Sequence, residues 1–290
     1  MKDKIITSRF FLSIFKKIDF LFSFFFFLFS FFLFSPISAQ HFSLIKKISI
    51  KNPVTVSMDR YNNIFYADEN GSIYCYDTNA VKLYEYSPQR LARVWNLEAW
   101  KSVKIFAFYR ELQEYTLFNR FLTPTAEQYK IANENIIGYA RIATLSFDES
   151  IWLFDEQDFS LKKFNIDQQQ TIINTPLSLI LESKEYNINF MREYENLLFV
   201  NDANSGVFVF DNLGNYKKKI DYTGLNYFGF LNDEMYFIKN TELYFFHLYN
   251  FSERKISLPA VNEKILFVLY NSKRLTMLTN KELCIFEIEK

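Results

Sequence analysis

A repeat with a period of about forty residues constrains this chain more than any other feature. One unit reads Ile64-Phe65-Tyr66-Ala67-Asp68, a polar turn, then Ile73-Tyr74-Cys75-Tyr76-Asp77. A second copy reads Leu197-Leu198-Phe199-Val200-Asn201-Asp202, then Gly206-Val207-Phe208-Val209-Phe210-Asp211. A third pairs Ile151-Trp152-Leu153-Phe154-Asp155 with Phe159 to Phe164. Weaker copies begin at Met235-Tyr236-Phe237 and Leu275-Thr276-Met277, and the most divergent is Ile105-Phe106-Ala107-Phe108. The apolar anchors Ile64, Ile105, Ile151, Leu197, Met235 and Leu275 are spaced by 41, 46, 46, 38 and 40 residues.

Each unit reads as strand, turn, strand. Its apolar residues are consecutive, not alternating, so both faces of the sheet must be buried. Blades stacked around an axis meet that requirement, and four-stranded propeller blades have periods of about 40–50 residues. The spacing therefore predicts an all-β, six-bladed β-propeller of four-stranded antiparallel blades over residues 40–290. The last repeat supplies three strands, Ile265–Tyr270, Leu275–Thr279 and Leu283–Ile288. The orphan stretch Phe42–Ile50 is expected to be its fourth, closing the ring and removing an open edge. Two segments depart from the pattern. Thr123-Pro124-Thr125-Ala126-Glu127 reads as a capped helix start inside the second blade. Residues 171–186 read as a long connection.

Residues 1–39 are of a different kind. Lys2, Lys4, Arg9, Lys16 and Lys17 against Asp3 and Asp19 give a net charge of +3, followed by Phe20 to Phe34, which is Phe, Leu and Ser only. Ser35-Pro36-Ile37-Ser38-Ala39 then supplies an exit with a small residue. This is the layout of a secretory signal peptide, with cleavage expected after Ala39. The rival is an uncleaved anchor, but a spanning helix needs about 20 apolar residues and this run is shorter; the membrane is contacted only through the leader, if it stays uncleaved. The expected localisation is export to the periplasm, cell surface or medium.

Composition narrows the function. The whole chain has 33 basic and 33 acidic residues, without the excess positive charge of a nucleic-acid binder. Cys75 and Cys284 are the only cysteines, too few for a disulfide scaffold or a thiolate zinc site. They fall in third strands of the first and last blades and are expected as buried free thiols. His41 and His247 are the only histidines. No phosphate loop, nucleophile elbow or HExxH motif is present.

The segments Asn63-Ile64-Phe65-Tyr66-Ala67-Asp68 to Asp77 and Leu198 to Gly214 resemble six-bladed propellers of the NHL and gluconolactonase/regucalcin-like kind. The resemblance implies architecture over about residues 54–290. The gluconolactonase-like enzymes hold one central divalent metal with a Glu, two Asn and an Asp. Glu69, Asn201 and Asp202 are the polar candidates here, without matching contexts.

Candidate sites follow from the repeat. Asp68, Asp155 and Asp202 each follow the second strand of a blade, where converging carboxylates can bind Ca²⁺ through oxygen. The same residues serve turn chemistry, and the other blades carry Tyr109, Lys239 and Thr279 near that place. Tyr61, Tyr109, Tyr227 and Trp95 or Trp100 are candidates for a sugar- or peptide-binding platform. Lys217-Lys218-Lys219 reads as a solvated strand face. The expected function is a non-catalytic exported scaffold that binds a protein or glycan partner in the cell envelope. The alternatives are a metal-dependent hydrolase or lactonase and a surface carbohydrate-binding module.

Produced in an exporting host, the secreted protein should begin at Gln40 by N-terminal sequencing. A chain that still begins at Met1 in the membrane fraction would show that the leader is an anchor.

Overall fold

The computed structural model describes residues 41–101, 103–125, 129–131, 138–181 and 185–289. The leader lies outside the described residues. Among the described residues, twenty-four strands form six four-stranded antiparallel sheets arranged as the blades of a β-propeller.

Strand β1 (His41–Ser49) comes first and belongs to the last blade. The first blade is β2 (Pro53–Met58), β3 (Ile64–Asp68), β4 (Ile73–Tyr76) and β5 (Lys82–Tyr86). The second is β6 (Asn96–Glu98), β7 (Ile105–Tyr109), β8 (Glu114–Phe118) and β9 (Tyr129–Lys130). The third is β10 (Ala140–Leu145), β11 (Ile151–Asp155), β12 (Ser160–Asn165) and β13 (Gln170–Pro176). The fourth is β14 (Ile188–Tyr194), β15 (Leu197–Asp202), β16 (Gly206–Asp211) and β17 (Tyr216–Ile220). The fifth is β18 (Gly229–Leu231), β19 (Glu234–Lys239), β20 (Glu242–His247) and β21 (Glu253–Ser257). The sixth is β22 (Phe267–Tyr270), β23 (Arg274–Leu278) and β24 (Glu282–Glu289), with β1 as its outermost strand.

The six anchors of the repeat start the second strand of each blade or stand one residue inside it. Every residue of β3, β7 and β11 is buried, as consecutive apolar residues demand. Sheets pack face to face about 10 Å apart, and large rings fill that gap. Phe65, Phe106, Phe154, Phe199 and Phe228 are among the largest fully buried side chains. Between the fourth and fifth blades Phe199 meets Phe230 at 4.7 Å, and Phe190 meets Phe228 edge-on at 4.8 Å. Much of the aromatic content is therefore packing between blades.

Closure occurs as the sequence predicts. Strand β1 pairs antiparallel with β24, from His41 opposite Glu289 to Ser49 opposite Glu282. Val56 and Tyr66 of the first blade share one apolar cluster with Leu269, Leu283 and Ile285 of the sixth. Cys75 and Cys284 are both buried and free. Burial pushes the Cys75 thiol up to about 12, with Asp59 and Asp77 adding to the effect.

Two expectations are corrected. The first part of the long connection at 171–186, up to Pro176, is strand β13, paired with β12 from Asn165 opposite Gln170 to Ser160 opposite Pro176. An outer strand has one covered face. Thr171, Ile173 and Thr175 are half-buried, Gln170, Ile172 and Asn174 are exposed, and so mixed an alternation is a weak signal. The helix start at 123–127 is not seen in its described part. Thr125 donates its N–H to Leu117 O at 2.8 Å and Pro124 bridges Phe118, so this turn hugs β8. Residues 126–127 lie outside the described residues.

Six glycines suffice because other residues make the turns. Asp59 Oδ1 accepts N–H bonds from Tyr61 and Asn63 at 2.8 Å each. Asp77 does the same for Asn79 and Val81, and Asp211 for Leu213 and Asn215. Asn62 and Ala80 take positive φ inside these turns, at 65° and 59°. The Asx bonds offset a left-handed penalty of roughly 1–2 kcal/mol per residue.

Deleting residues 41–49 should lower stability by about 3 kcal/mol or more, since Phe42, Ile45 and Ile48 lose burial and β24 becomes an edge. Thermal and urea melts check this. An unchanged midpoint would refute the closure.

Candidate binding site at one end of the axis

The first strand of each blade lines the axis, so its polar residues meet there. A cavity of about 350 Å³ opens at the end where these strands turn into the second ones. All six blades contribute: Met58, Trp100, Phe147, Arg192, Phe230 and Leu269 come from the first to the sixth in order. Ligand sites generally span about 300–1,000 Å³.

The rim is aromatic. Trp100 and Phe147 stack at 6.4 Å and 15°. Tyr194 and Phe230 stack at 4.3 Å and 2°. Phe147 is 65% exposed, which is unusual for so large an apolar ring beside a cavity. Its loop is held in place. Phe147 N–H donates to Glu193 Oε1 at 2.9 Å, while Ser146 Oγ and Trp152 Nε1 donate to Glu193 Oε2 at 2.6 and 2.7 Å. Lys101 Nζ donates to Ser146 O and Phe147 O at 2.7 and 3.0 Å and lies over the Trp100 ring. Burial lowers the Lys101 pKa against the pull of Glu149, Glu193 and Glu98.

A polar layer lies beneath the rim. Asn96 Nδ2 donates to Ala143 O at 2.9 Å, Met191 O at 3.3 Å and Glu98 Oε1 at 3.1 Å. Thr144 Oγ1 also donates to Glu98 Oε1, and Trp100 Nε1 reaches Oε2 at 3.2 Å. Burial raises the Glu98 pKa, against Arg192 and the donors Thr144, Trp100 and Asn96. Arg192 is 8% exposed and lies over the rings of Phe190 and Tyr227 at 5.4 and 5.7 Å. Its Nε and Nη2 have no hydrogen-bond partner among the described residues.

The opposite end of the axis has a cavity of about 430 Å³, lined by Asn52, Glu69, Arg93, Trp95, Asn189 and Tyr227 among others. Trp95 is held between the guanidinium groups of Arg93 and Arg110, 4.5 and 3.4 Å from its ring, and donates to Glu111.

The three predicted aspartates are taken up by local structure: Asp68 serves its own turn, while Asp155 and Asp202 serve their turns and also hold the chain that enters their blade. Asp68 Oδ1 accepts from Asn70 N and Ser72 N at 3.0 Å each, and Oδ2 from Tyr74 Oη at 3.1 Å. Asp202 Oδ1 accepts from Asn187 N at 2.6 Å and Asn204 N at 3.2 Å, and Oδ2 from Ser205 Oγ. Asp155 accepts from the N–H groups of Gly138, Tyr139 and Gln157, and Lys162 Nζ lies 2.7 Å from it. Burial alone would raise the Asp155 pKa. Lys162 and the three N–H donors outweigh that and hold it below the usual carboxylate value. Among the described residues no three His, Cys, Asp or Glu side chains form a group able to hold a metal ion.

Of the predicted aromatic platform, Trp100 and Tyr227 line the first cavity, and Trp95 and Tyr227 the second. Tyr61 is 72% exposed in a turn and lines neither, and Tyr109 is 1% exposed inside β7, so it cannot take part in a platform. His247 accepts a bond from Tyr249 N at 3.3 Å, a turn role. Sequence reasoning missed Glu98, Phe147, Arg192, Tyr194 and Phe230. A signal existed for two of them. Glu98 stands between Leu97 and Ala99, and Arg192 follows Phe190-Met191 in a strand; a charge in such a place is unusual without a partner.

No known protein family matches the chain, and no curated protein matches it. Solved structures do. A streptogramin B lyase superposes with a TM-score of 0.61 at 12% identity, over 86% of this chain and 98% of that one. BamB from Moraxella catarrhalis gives 0.53 at 8%, over 85% and 100%. The Cps50 (Swd1) propeller domain from Myceliophteria thermophila gives 0.55 at 14%, over 82% and 83%. At such identities the likeness concerns the fold.

Asp155→Ala should cost about 3 kcal/mol in urea unfolding at pH 7, because buried Lys162 keeps one fewer carboxylate. The folded pKa of Asp155 is depressed, so its contribution is present above the unfolded value of about 3.9 and is lost as pH falls through the folded value. The gap between wild type and variant should therefore be full at pH 7 and shrink below about pH 4. A gap unchanged by acid would refute this.

Proposed function

We propose that this chain is an exported, non-catalytic β-propeller that binds a protein partner at the aromatic end of its axis. One observation carries the reading. All six blades converge on a cavity rimmed by two stacked ring pairs, Trp100–Phe147 and Tyr194–Phe230, with Phe147 left largely in water. One exposed ring and three half-buried ones clustered round a depression are a pattern of interface anchors. The bonds from Glu193 and Lys101 fix the Phe147 loop beforehand, so little ordering remains to oppose binding. The basic and apolar leader supports export. The hydrolase reading draws no support from Asp68, Asp155 and Asp202, whose oxygens are committed to backbone N–H groups and a lysine.

The test compares wild type with the Trp100→Ala, Phe147→Ala double variant in crosslinked capture from the exporting cell's envelope. Loss of both anchors should weaken capture by about 30-fold or more, at 2 kcal/mol or more for such anchors; a cooperative thermal melt, with its midpoint lowered by the lost Trp100–Glu98 bond, shows that the variant still folds. Capture that survives in the double variant would place the partner elsewhere.

A further inference from the structure

The fifth blade departs from its neighbours at the end away from the aromatic cavity. In the first, third and fourth blades the inner strand runs the full length of the second one. Pro53, Ala140 and Ile188 there stand opposite Asp68, Asp155 and Asp202. In the fifth, β18 begins only at Gly229, opposite Tyr236, and nothing in the sheet stands opposite Phe237, Ile238 or Lys239 on that side. Backbone groups along an antiparallel strand point to its two neighbours in turn. Glu234 closes a two-residue turn with Leu231, so Glu234 and Tyr236 bond toward β18. Ile238 is next in that series, and its N–H and C=O point to where β18 is missing. No group among the described residues takes them up. Unpaired backbone groups on a strand edge are ready to bond an added strand.

A cavity of about 630 Å³ lies along this edge, lined by Ile238 and by Asn226 and Tyr227, which precede β18. Gly224 is also on its wall, and a Cβ there would meet no atom within 4 Å. Toward the sixth blade the wall is apolar, where Ile238, Leu258, Val261 and Ile265 share one cluster. The loop carrying the last three is already fixed. Leu258 N–H donates to Thr241 O at 3.1 Å and Leu266 N–H to Leu278 O at 2.8 Å. The free charge at the edge is positive. Lys239 and Lys264 are exposed and form no ion pair among the described residues. The acids beside them are engaged, Glu242 with Lys255 at 2.9 Å and Glu263 with Lys281 at 3.0 Å.

We propose that this edge takes up an extended segment of a partner polypeptide as an added antiparallel strand, in which an acidic residue precedes an apolar one. The apolar residue exchanges both N–H···O=C bonds with Ile238. Residues directly opposite one another share a face of the sheet, so its side chain joins Ile238, Leu258, Val261 and Ile265. The preceding residue then stands opposite Lys239, and its carboxylate answers that charge. This surface is separate from the aromatic end and does not depend on the partner bound there.

The probes are acetyl-Ser-Thr-Glu-Val-Ser-Gly-amide, the same peptide N-methylated at its valine, and the same peptide with lysine in place of glutamate. Binding to the purified secreted protein is followed by calorimetry. The parent peptide should bind saturably. N-methylation removes the donor to Ile238 O and should weaken binding about tenfold or more. The lysine peptide should bind about fivefold more weakly, as an opposed cross-strand charge pair implies. Lys239→Glu, an exposed change that leaves the fold intact, should reverse the preference between the two charged peptides. No saturable binding of the parent peptide, or an unchanged preference in Lys239→Glu, would overturn the proposal. Equal binding of the N-methylated peptide would overturn it too, and would make this a cavity for an apolar group alone. A dimer of the protein without peptide, lost in Lys239→Glu, would give the edge to a second copy and overturn the proposal. The Trp100→Ala, Phe147→Ala variant should bind the parent peptide as wild type does. Loss of peptide binding in that variant would overturn the placement at Ile238, whereas loss of partner capture alone concerns only the aromatic end.

Discussion

The pairing of His41–Ser49 with Glu282–Glu289 closes the ring, and the rest of the structure depends on it. A propeller blade is a small sheet that cannot bury both faces alone. It does so only between two neighbours, and the first and last blades are neighbours only when the ring is shut. Closure also removes the exposed edge of β24 that could pair with another chain. The packing of Val56 and Tyr66 with Leu269 and Ile285 follows from it. So do the axial cavities, because the one at the aromatic end is assembled from residues of all six blades.

Stacking on both faces explains the composition of the inner strands, and the axis explains its exceptions. First strands face a narrow central space, where Asn96, Glu98 and Thr144 bond one another and the backbone of adjacent blades. Such a network is stabilising only if its members are satisfied. Glu98 meets that condition, whereas Arg192 has spare donors on one edge.

Much of the fold was legible because its signals are local. The strands β3, β11 and β15 announced themselves by runs such as Ile151-Trp152-Leu153-Phe154, and their spacing set the blade count. Outer strands were harder. In β13 a single covered face leaves Ile172 exposed beside Gln170 and Asn174, so the segment reads as a connection. The turn aspartates were legible as turn residues for a local reason too, since Asp68 and Asp202 bond N–H groups two to four residues on. The aromatic site was mostly not legible. Trp100 was visible as a ring near a loop, but Phe147 and Phe230 resemble any other phenylalanine in a chain so rich in them.

By itself the sequence determined the repeat, the number of blades, the closing strand and the expectation of a leader. Each of these depends on periodicity or composition along the chain. Only the tertiary structure decided which side chains meet on the axis. Glu98 and Arg192 are far apart in sequence and lie in blades that are not adjacent, and the ring alone brings both to one layer. It also decided that Phe147 stands exposed while Tyr109 is buried, because a ring's exposure depends on whether a neighbouring blade covers it.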